Sequence, residues 1–128
     1  MAKPETAVKG GCKRSSCPIA STLDIVGDKW SLVLVRDLLR GKRRYNQFCD
    51  SSEGVPTNLL AARLRKLEAH GIIEKHAYQT RPVRYAYTLT SAGRALLPLL
   101  QEMCRWANAH IGGTWPAPET FMSMKAKL

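Results

Sequence analysis

Apolar positions recur along this chain with two different periods, and the change falls at Gly71. Before it the spacing is helical. Ile19, Thr22, Leu23 and Val26 form a first helix from Pro18, broken at Gly27 and Asp28. "WSLVLVRDLLRG" carries a second helix to Gly41, a glycine suited to end it. Its centre, "LVLV", also fits a strand, but Trp30, Leu38 and Leu39 extend the helical pattern. Within "KRRYNQFCD", Tyr45 and Phe48 are three apart, which fits one short helix. "SSEGVPT" is a turn signal. Leu60, Leu64 and Leu67 then stripe a helix from Pro56 to about His70. After Gly71 the period drops to two: in "VRYAYTLT", Tyr85, Tyr87 and Leu89 alternate with Arg84, Ala86 and Thr88. With "IIEKHAYQ" before it and "QTRP" between, this predicts an antiparallel hairpin. A last helix starts at Thr90 or Ser91, bends near Pro98 and ends at Gly112 and Gly113. Leu96, Leu97, Leu100, Cys104, Ala107 and Ile111 trace its apolar stripe.

A short helix, a tight turn, a second helix and a hairpin is the layout of a winged helix-turn-helix. The expected fold is mainly α with a small β-hairpin (α+β). Residues 1–16 are polar and rich in Gly and Ser, and read as a flexible arm. Residues 17–113 form the folded unit, and 114–128 form a C-terminal tail.

In that layout the helix from Pro56 is the one that enters a groove. Its outward face is small at first, with Thr57, Asn58, Ala61 and Ala62, and basic further on, with Arg65. A helix must sink into a major groove about 12 Å wide, led by its N-terminal turns. Bulk there would hold the backbone away. Small residues admit it, Asn58 can read an adenine edge, and an alanine methyl can touch a thymine methyl. Arg81 and Arg84 lie on the hairpin, where a wing meets a minor groove or flanking phosphates. The run "RGKRR", Arg40 to Arg44, can clamp the backbone.

Charge sharpens this reading. The chain has 128 residues, with 20 Lys and Arg against 10 Asp and Glu, a net +10. Such a surplus favours a polyanionic partner, nucleic acid first and an anionic membrane surface second; a plain solvated surface is the alternative. No apolar run approaches the roughly 18 residues needed to span a bilayer. "MAKPETAVKGG" has no apolar core, so no secretory signal is expected. A cytoplasmic protein with reduced thiols follows. Cys12, Cys17, Cys49 and Cys104 have no metal-binding spacing, and His70, His76 and His110 are scattered. No metal, no cofactor and no catalytic residue is expected: neither a nucleophile paired with a base nor a phosphate loop is present. A winged module that binds protein instead of DNA is the alternative, against which the basic surplus argues.

"CPIASTLDIVGDKWSLVLVRDLLRGKRRYNQF" resembles the opening of the HxlR-type winged-helix regulators, relatives of the MarR group. "LLAARLRKLEAHGIIEKHAY" and "RPVRYAYTLTSAGRALLPLL" resemble the family's recognition helix, wing and last helix. The match runs over about residues 17–111. The resemblance implies a bacterial transcription factor that binds double-stranded DNA, a pseudo-palindromic operator, as a homodimer. Carried over by position, it implies groove reading by Thr57, Asn58, Ala61 and Ala62, phosphate contacts by Arg44, Arg63 and Arg65, and wing contacts by Arg81 and Arg84. One departure is "VPTN", where the family often has Ile-Ser-Pro followed by Lys or Thr. The proline comes one place earlier, so the helix start is open by one residue.

The resemblance also implies that the first and last helices build the dimer. One small domain cannot easily bury the whole last stripe, which independently favours a symmetric dimer. The expected interface comprises Ile19, Leu23 and Trp30 with Leu96, Leu100, Met103, Trp106 and Ala107. Some relatives sense oxidants, quinones or aldehydes through a cysteine before the first helix, here Cys17. Pro18 would place Cys17 at the helix N-cap, where the partial positive charge favours a thiolate, with Lys13 and Arg14 adding to it. Such a thiol reacts with oxidants and electrophiles. Cys12 or the second subunit's copy of Cys17 is the expected resolving partner. The alternative is an inert core residue, the role expected of Cys49 and Cys104.

Overall fold

The computed structural model describes Val8 and residues 14–126. In chain order it comprises α1 (Pro18–Val26), α2 (Ser31–Leu39), α3 (Tyr45–Cys49), α4 (Thr57–Ala69), β1 (Ile73–Thr80), β2 (Val83–Leu89), α5 (Ser91–Arg94), α6 (Leu97–His110) and α7 (Glu119–Met122). The helix–turn–helix of α3 and α4 followed by the β1–β2 hairpin is the winged arrangement expected from the sequence.

The core forms where the stripes meet. Leu34, Val35 and Leu38 of α2, Phe48 of α3, and Leu60, Leu64 and Leu67 of α4 are all buried. Ile72 and Ile73 close this core from the hairpin side, and Leu97 and Leu100 from α6. The leucine stripe of α4 is therefore wholly spent inward, which leaves its other face to solvent. Gly54 and Gly71 bracket α4 at φ of +66° and +78°. A left-handed backbone there favours glycine and sets a sharp entry and exit. Pro56 is the N-cap and Thr57 the first helical residue, which fixes the start that the sequence left open.

Three stretches differ from the sequence reading. Arg43 and Arg44 are not the start of a helix but an extended edge. Tyr87 N–H donates to Arg43 O at 2.7 Å, and Arg44 bridges Ala86, so this segment lies alongside β2. Gln47 Oε1 then accepts from the N–H groups of both Arg43 and Arg44, at 2.8 and 2.9 Å, and turns the chain into α3.

The last helix is two helices. Thr90 caps α5, its Oγ1 accepting from Gly93 N–H at 3.1 Å. Pro98 sits in the first turn of α6, where the N–H it lacks would have had no partner, so it marks a start and not a bend. Gly93 is packed against Ile72 O, with no room for a Cβ.

The stretch read as a C-terminal tail folds back onto the domain. Phe121 of α7 is buried in the core. Gln101, a buried amide on α6, donates through Nε2 to the carbonyls of Phe121, Met122 and Met124, at 3.1, 3.2 and 3.0 Å. A single polar side chain thus ties the end of α7 and the residues after it to α6.

Candidate nucleic-acid interface

The exposed face of α4 begins with Thr57 and Asn58, continues through the half-buried Ala61 and Ala62, and reaches Arg65, which is exposed. Tyr45, the first residue of α3, donates its hydroxyl to Thr57 O at 3.1 Å. Beside Tyr45, the guanidinium of Arg44 stacks 4.3 Å from the ring centroid of Tyr78 on the hairpin. These two contacts join the N-terminal turn of α4 to the wing in one continuous surface.

Tyr78 owes its position to an irregularity in the sheet. Ala77 pairs with Tyr85 and Gln79 with Arg84, which leaves Tyr78 unpaired in a bulge. A bulge re-aims a side chain, and this one presents a ring to Arg44. Between α3 and the wing lies an open cleft of about 360 Å³ lined by Arg44, Tyr45, Asn46, Tyr78, Arg84 and Tyr85 among others. Two guanidiniums and several phenol hydroxyls therefore converge in one concave strip, with no carboxylate lining it. Arg81 stands at the two-residue tip of the hairpin, exposed. Arg65, Arg81 and Arg84 form no ion pair among the described residues.

Arg63 is different. Its Nε lies 2.8 Å from Asp28 Oδ2, in the turn between α1 and α2, and Lys66 Nζ lies 3.9 Å from the other oxygen. Asp28 also accepts from the N–H groups of Trp30 and Ser31, both at 3.1 Å, and from the Ser31 hydroxyl. Burial acts to raise the Asp28 carboxyl, but these hydrogen bonds and the Arg63 charge outweigh it and hold it below its ordinary value. Arg63 thus braces α4 against the start of α2 and points away from the exposed face.

A second brace holds the turn before α4. Arg36 donates through Nη1 and Nη2 to the two carboxylate oxygens of Glu53, each at 2.8 Å. It also donates through Nε and Nη2 to Asp37 Oδ1, at 3.1 and 2.8 Å. Asp37 is buried, and its second oxygen has only the ion pair to Lys42 at 3.6 Å. Neither brace was visible in the sequence. Each joins residues 17 or 35 positions apart, and a lone Asp or Glu in a turn carries no sign of its partner.

The expected dimer residues divide by exposure. Ile19 is 73% exposed, Met103 47% and Trp106 61%, and Leu23 is exposed as well. Trp30, Leu96 and Ala107 are half-buried. Leu100 is only 7% exposed, consumed by the core of its own chain. Leu99, which the sequence reading passed over, is exposed instead. Leu99, Met103 and Trp106 follow one another at helical spacing, so α6 has two apolar faces, and the outer one is exposed among the described residues.

Cys17 is exposed and is the N-cap of α1, with Pro18 at the first helical position. Arg14 is engaged by Asp24 at 2.6 Å. Cys12 and Lys13 lie outside the described residues. Cys49 and Cys104 are half-buried against the core.

Comparison with known proteins agrees with the winged helix-turn-helix fold. Residues 25–114 match the model of the family described as HxlR-like helix-turn-helix. The chain is 38% identical over 104 residues to sll1512 of Synechocystis sp., an HTH-type transcriptional regulator, covering 81% of this chain and 73% of that protein. Among solved structures, PA1607, a putative transcription factor, superposes with a TM-score of 0.71 at 35% identity, covering 83% of this chain and 82% of that one. The redox regulator HypR in its oxidized form superposes with a TM-score of 0.66 at 35% identity, covering 73% of this chain and 97% of that one.

Proposed function

Since the chain belongs to the HxlR-like helix-turn-helix family, we propose that this transcriptional regulator binds a pseudo-palindromic duplex site as a homodimer. The observation that carries the reading is the unbroken surface from Thr57 through Tyr45 and Arg44 to the wing. The α4 turns that are small enough to enter a major groove adjoin a basic cleft on the side where the next phosphates would run.

Roles follow from placement. Asn58, with Thr57, Ala61 and Ala62, reads base edges. Arg44, Arg65, Arg81 and Arg84 meet phosphates or the minor groove. Arg63 keeps α4 in position through Asp28 and contributes no direct contact. The dimer forms on the outer faces of α1 and α6, through Ile19, Leu23, Leu99, Met103 and Trp106. Two α4 helices then face half-sites about one helical turn apart.

Reading and anchoring separate by experiment. Asn58→Ala is expected to cost about 1–3 kcal/mol at one base position and to relax the choice there. Arg84→Ala is expected to weaken binding to every sequence alike and to shallow the salt dependence by about one unit of slope. Equal losses on specific and random duplexes for both variants would remove Asn58 from the reading role.

We infer a second, regulatory role for Cys17. Its support is its exposure at the N-cap of α1, a helix assigned to the dimer, together with the likeness to the redox regulator HypR. Oxidation or alkylation of this thiol would change the packing of α1 and so the spacing of the two α4 helices. Mild oxidant or quinone is expected to lower the DNA affinity of the native protein and to leave Cys17→Ser unchanged. Loss of affinity in both, or in neither, would exclude Cys17 as the switch.

A further inference from the structure

The backbone of Arg44 is fixed from two sides. Its N–H donates to Gln47 Oε1 at 2.9 Å, and it bridges Ala86 on β2. The side chain beyond it is a long, flexible stem with the charge at its end. Freezing such a stem on contact with a partner opposes binding, and affinity is gained when the stem is ordered before the partner arrives.

Tyr78 supplies that order. The Arg44 guanidinium lies over its ring, 4.3 Å from the centroid. A guanidinium on an aromatic ring is engaged through its flat face, and its N–H edge stays open to an anion. The other rings that line the cleft are engaged differently. Tyr45 donates its hydroxyl to Thr57 O, Tyr85 carries the Lys75 ammonium at 4.5 Å, and Tyr87 meets Phe48 edge-on with centroids 6.1 Å apart. Tyr78 reaches Arg44 because it is the extra residue of the bulge between Ala77 and Gln79. It is exposed and lies outside the core cluster, so packing gives no reason for a large ring at this position.

We propose that Tyr78 is a positioning residue for DNA binding: its ring holds the Arg44 guanidinium edge-out in the cleft between α3 and the wing, where that edge meets a phosphate of the duplex. Tyr78 acts through Arg44, and its hydroxyl takes no part. The inference rests on the reading of this surface as the DNA interface and adds to it a residue whose effect passes through another.

The test is a double-mutant cycle on the full-length chain, read as affinity for a random-sequence duplex at one fixed salt concentration. Arg44→Ala is expected to weaken binding. Tyr78→Ala is expected to weaken it about fivefold with the melting temperature unchanged. Tyr78→Phe keeps the ring and is expected to bind as the native protein does. Tyr78→Leu keeps apolar bulk without an aromatic face and is expected to behave like Tyr78→Ala. Once Arg44 is already alanine, Tyr78→Ala is expected to cost nothing further. If Arg44→Ala leaves affinity unchanged, the reading of Arg44 as a phosphate contact falls, and the positioning role falls with it. If Arg44→Ala weakens binding, the positioning role alone is overturned by any of four results: Tyr78→Ala binds normally or melts lower, Tyr78→Phe binds as weakly as Tyr78→Ala, Tyr78→Leu binds normally, or the two alanine losses simply add.

Discussion

A Trp106→Glu variant is expected to fold and to be a monomer at micromolar concentration. Trp106 is 61% exposed and its ring lies against that of His110 on the same helix at a 5.3 Å centroid distance, so the single chain loses little. The proposed dimer loses much, because a carboxylate would be desolvated beside Leu99 and Met103 with no partner. One α4 helix then reads one half-site. Affinity for the selected operator is expected to fall about 10³-fold or more, towards that for random duplex. Far-ultraviolet circular dichroism and sedimentation distinguish this from unfolding. A native-like dimer with undiminished operator affinity would place the interface elsewhere.

Arg36→Ala acts through a different link. It strips Asp37, a buried carboxylate, of its closest partner and leaves only Lys42 at 3.6 Å. An uncompensated buried charge costs about 3–5 kcal/mol, and the remaining lysine sets the expectation near the low end, about 3 kcal/mol. For a domain of this size the melting temperature drops by roughly 10 °C. The variant also frees Glu53 and the turn before α4, so operator binding weakens beyond the loss of stability. The double change Arg36→Met with Asp37→Leu removes the charges together and is expected to recover most of the stability. A loss under about 1 kcal/mol for the single change would show that the network adds little.

The same pair gives a pH signature. The Arg36 guanidinium, with help from the Ser51 hydroxyl, holds the Glu53 carboxyl far below its ordinary value of 4.5, against burial acting the other way. A carboxyl depressed in the folded state contributes fully above that ordinary value. The contribution is lost as pH falls from there towards the folded-state value. Acid destabilisation of the native protein below about pH 4.5 is therefore expected to be steeper than that of Glu53→Gln.

The order of elements was legible because α2, α4 and the hairpin each have one buried face, and burial writes its period into the sequence. Leu60, Leu64 and Leu67 are read as core and are core. What failed was a case of two apolar faces on one helix. Leu97 and Leu100 face inward while Leu99 and Met103 face outward, and the expected dimer set of Leu96, Leu100, Met103, Trp106 and Ala107 mixes the two faces. Where position depends on a distant partner, the sequence is silent. Phe121 follows two prolines in a polar stretch, and only Gln101, 20 residues earlier, shows why it docks. Arg44 and Tyr78 are brought together by a bulge that no alternation pattern marks. Arg63 looked like any exposed cation on α4 until Asp28 appeared beside it. The candidate reading face was legible because it is local to one helix, whereas the braces that aim it are not.

Selection of binding sites from a pool of random duplexes tests the central claim most directly. The expected outcome is an enriched pseudo-palindrome whose half-sites are centred about 10–10.5 base pairs apart, with enrichment at one base of each half-site relaxed in Asn58→Ala. A pool that stays random, or one that enriches a single half-site without its inverted copy, would contradict a dimer that reads DNA through paired α4 helices.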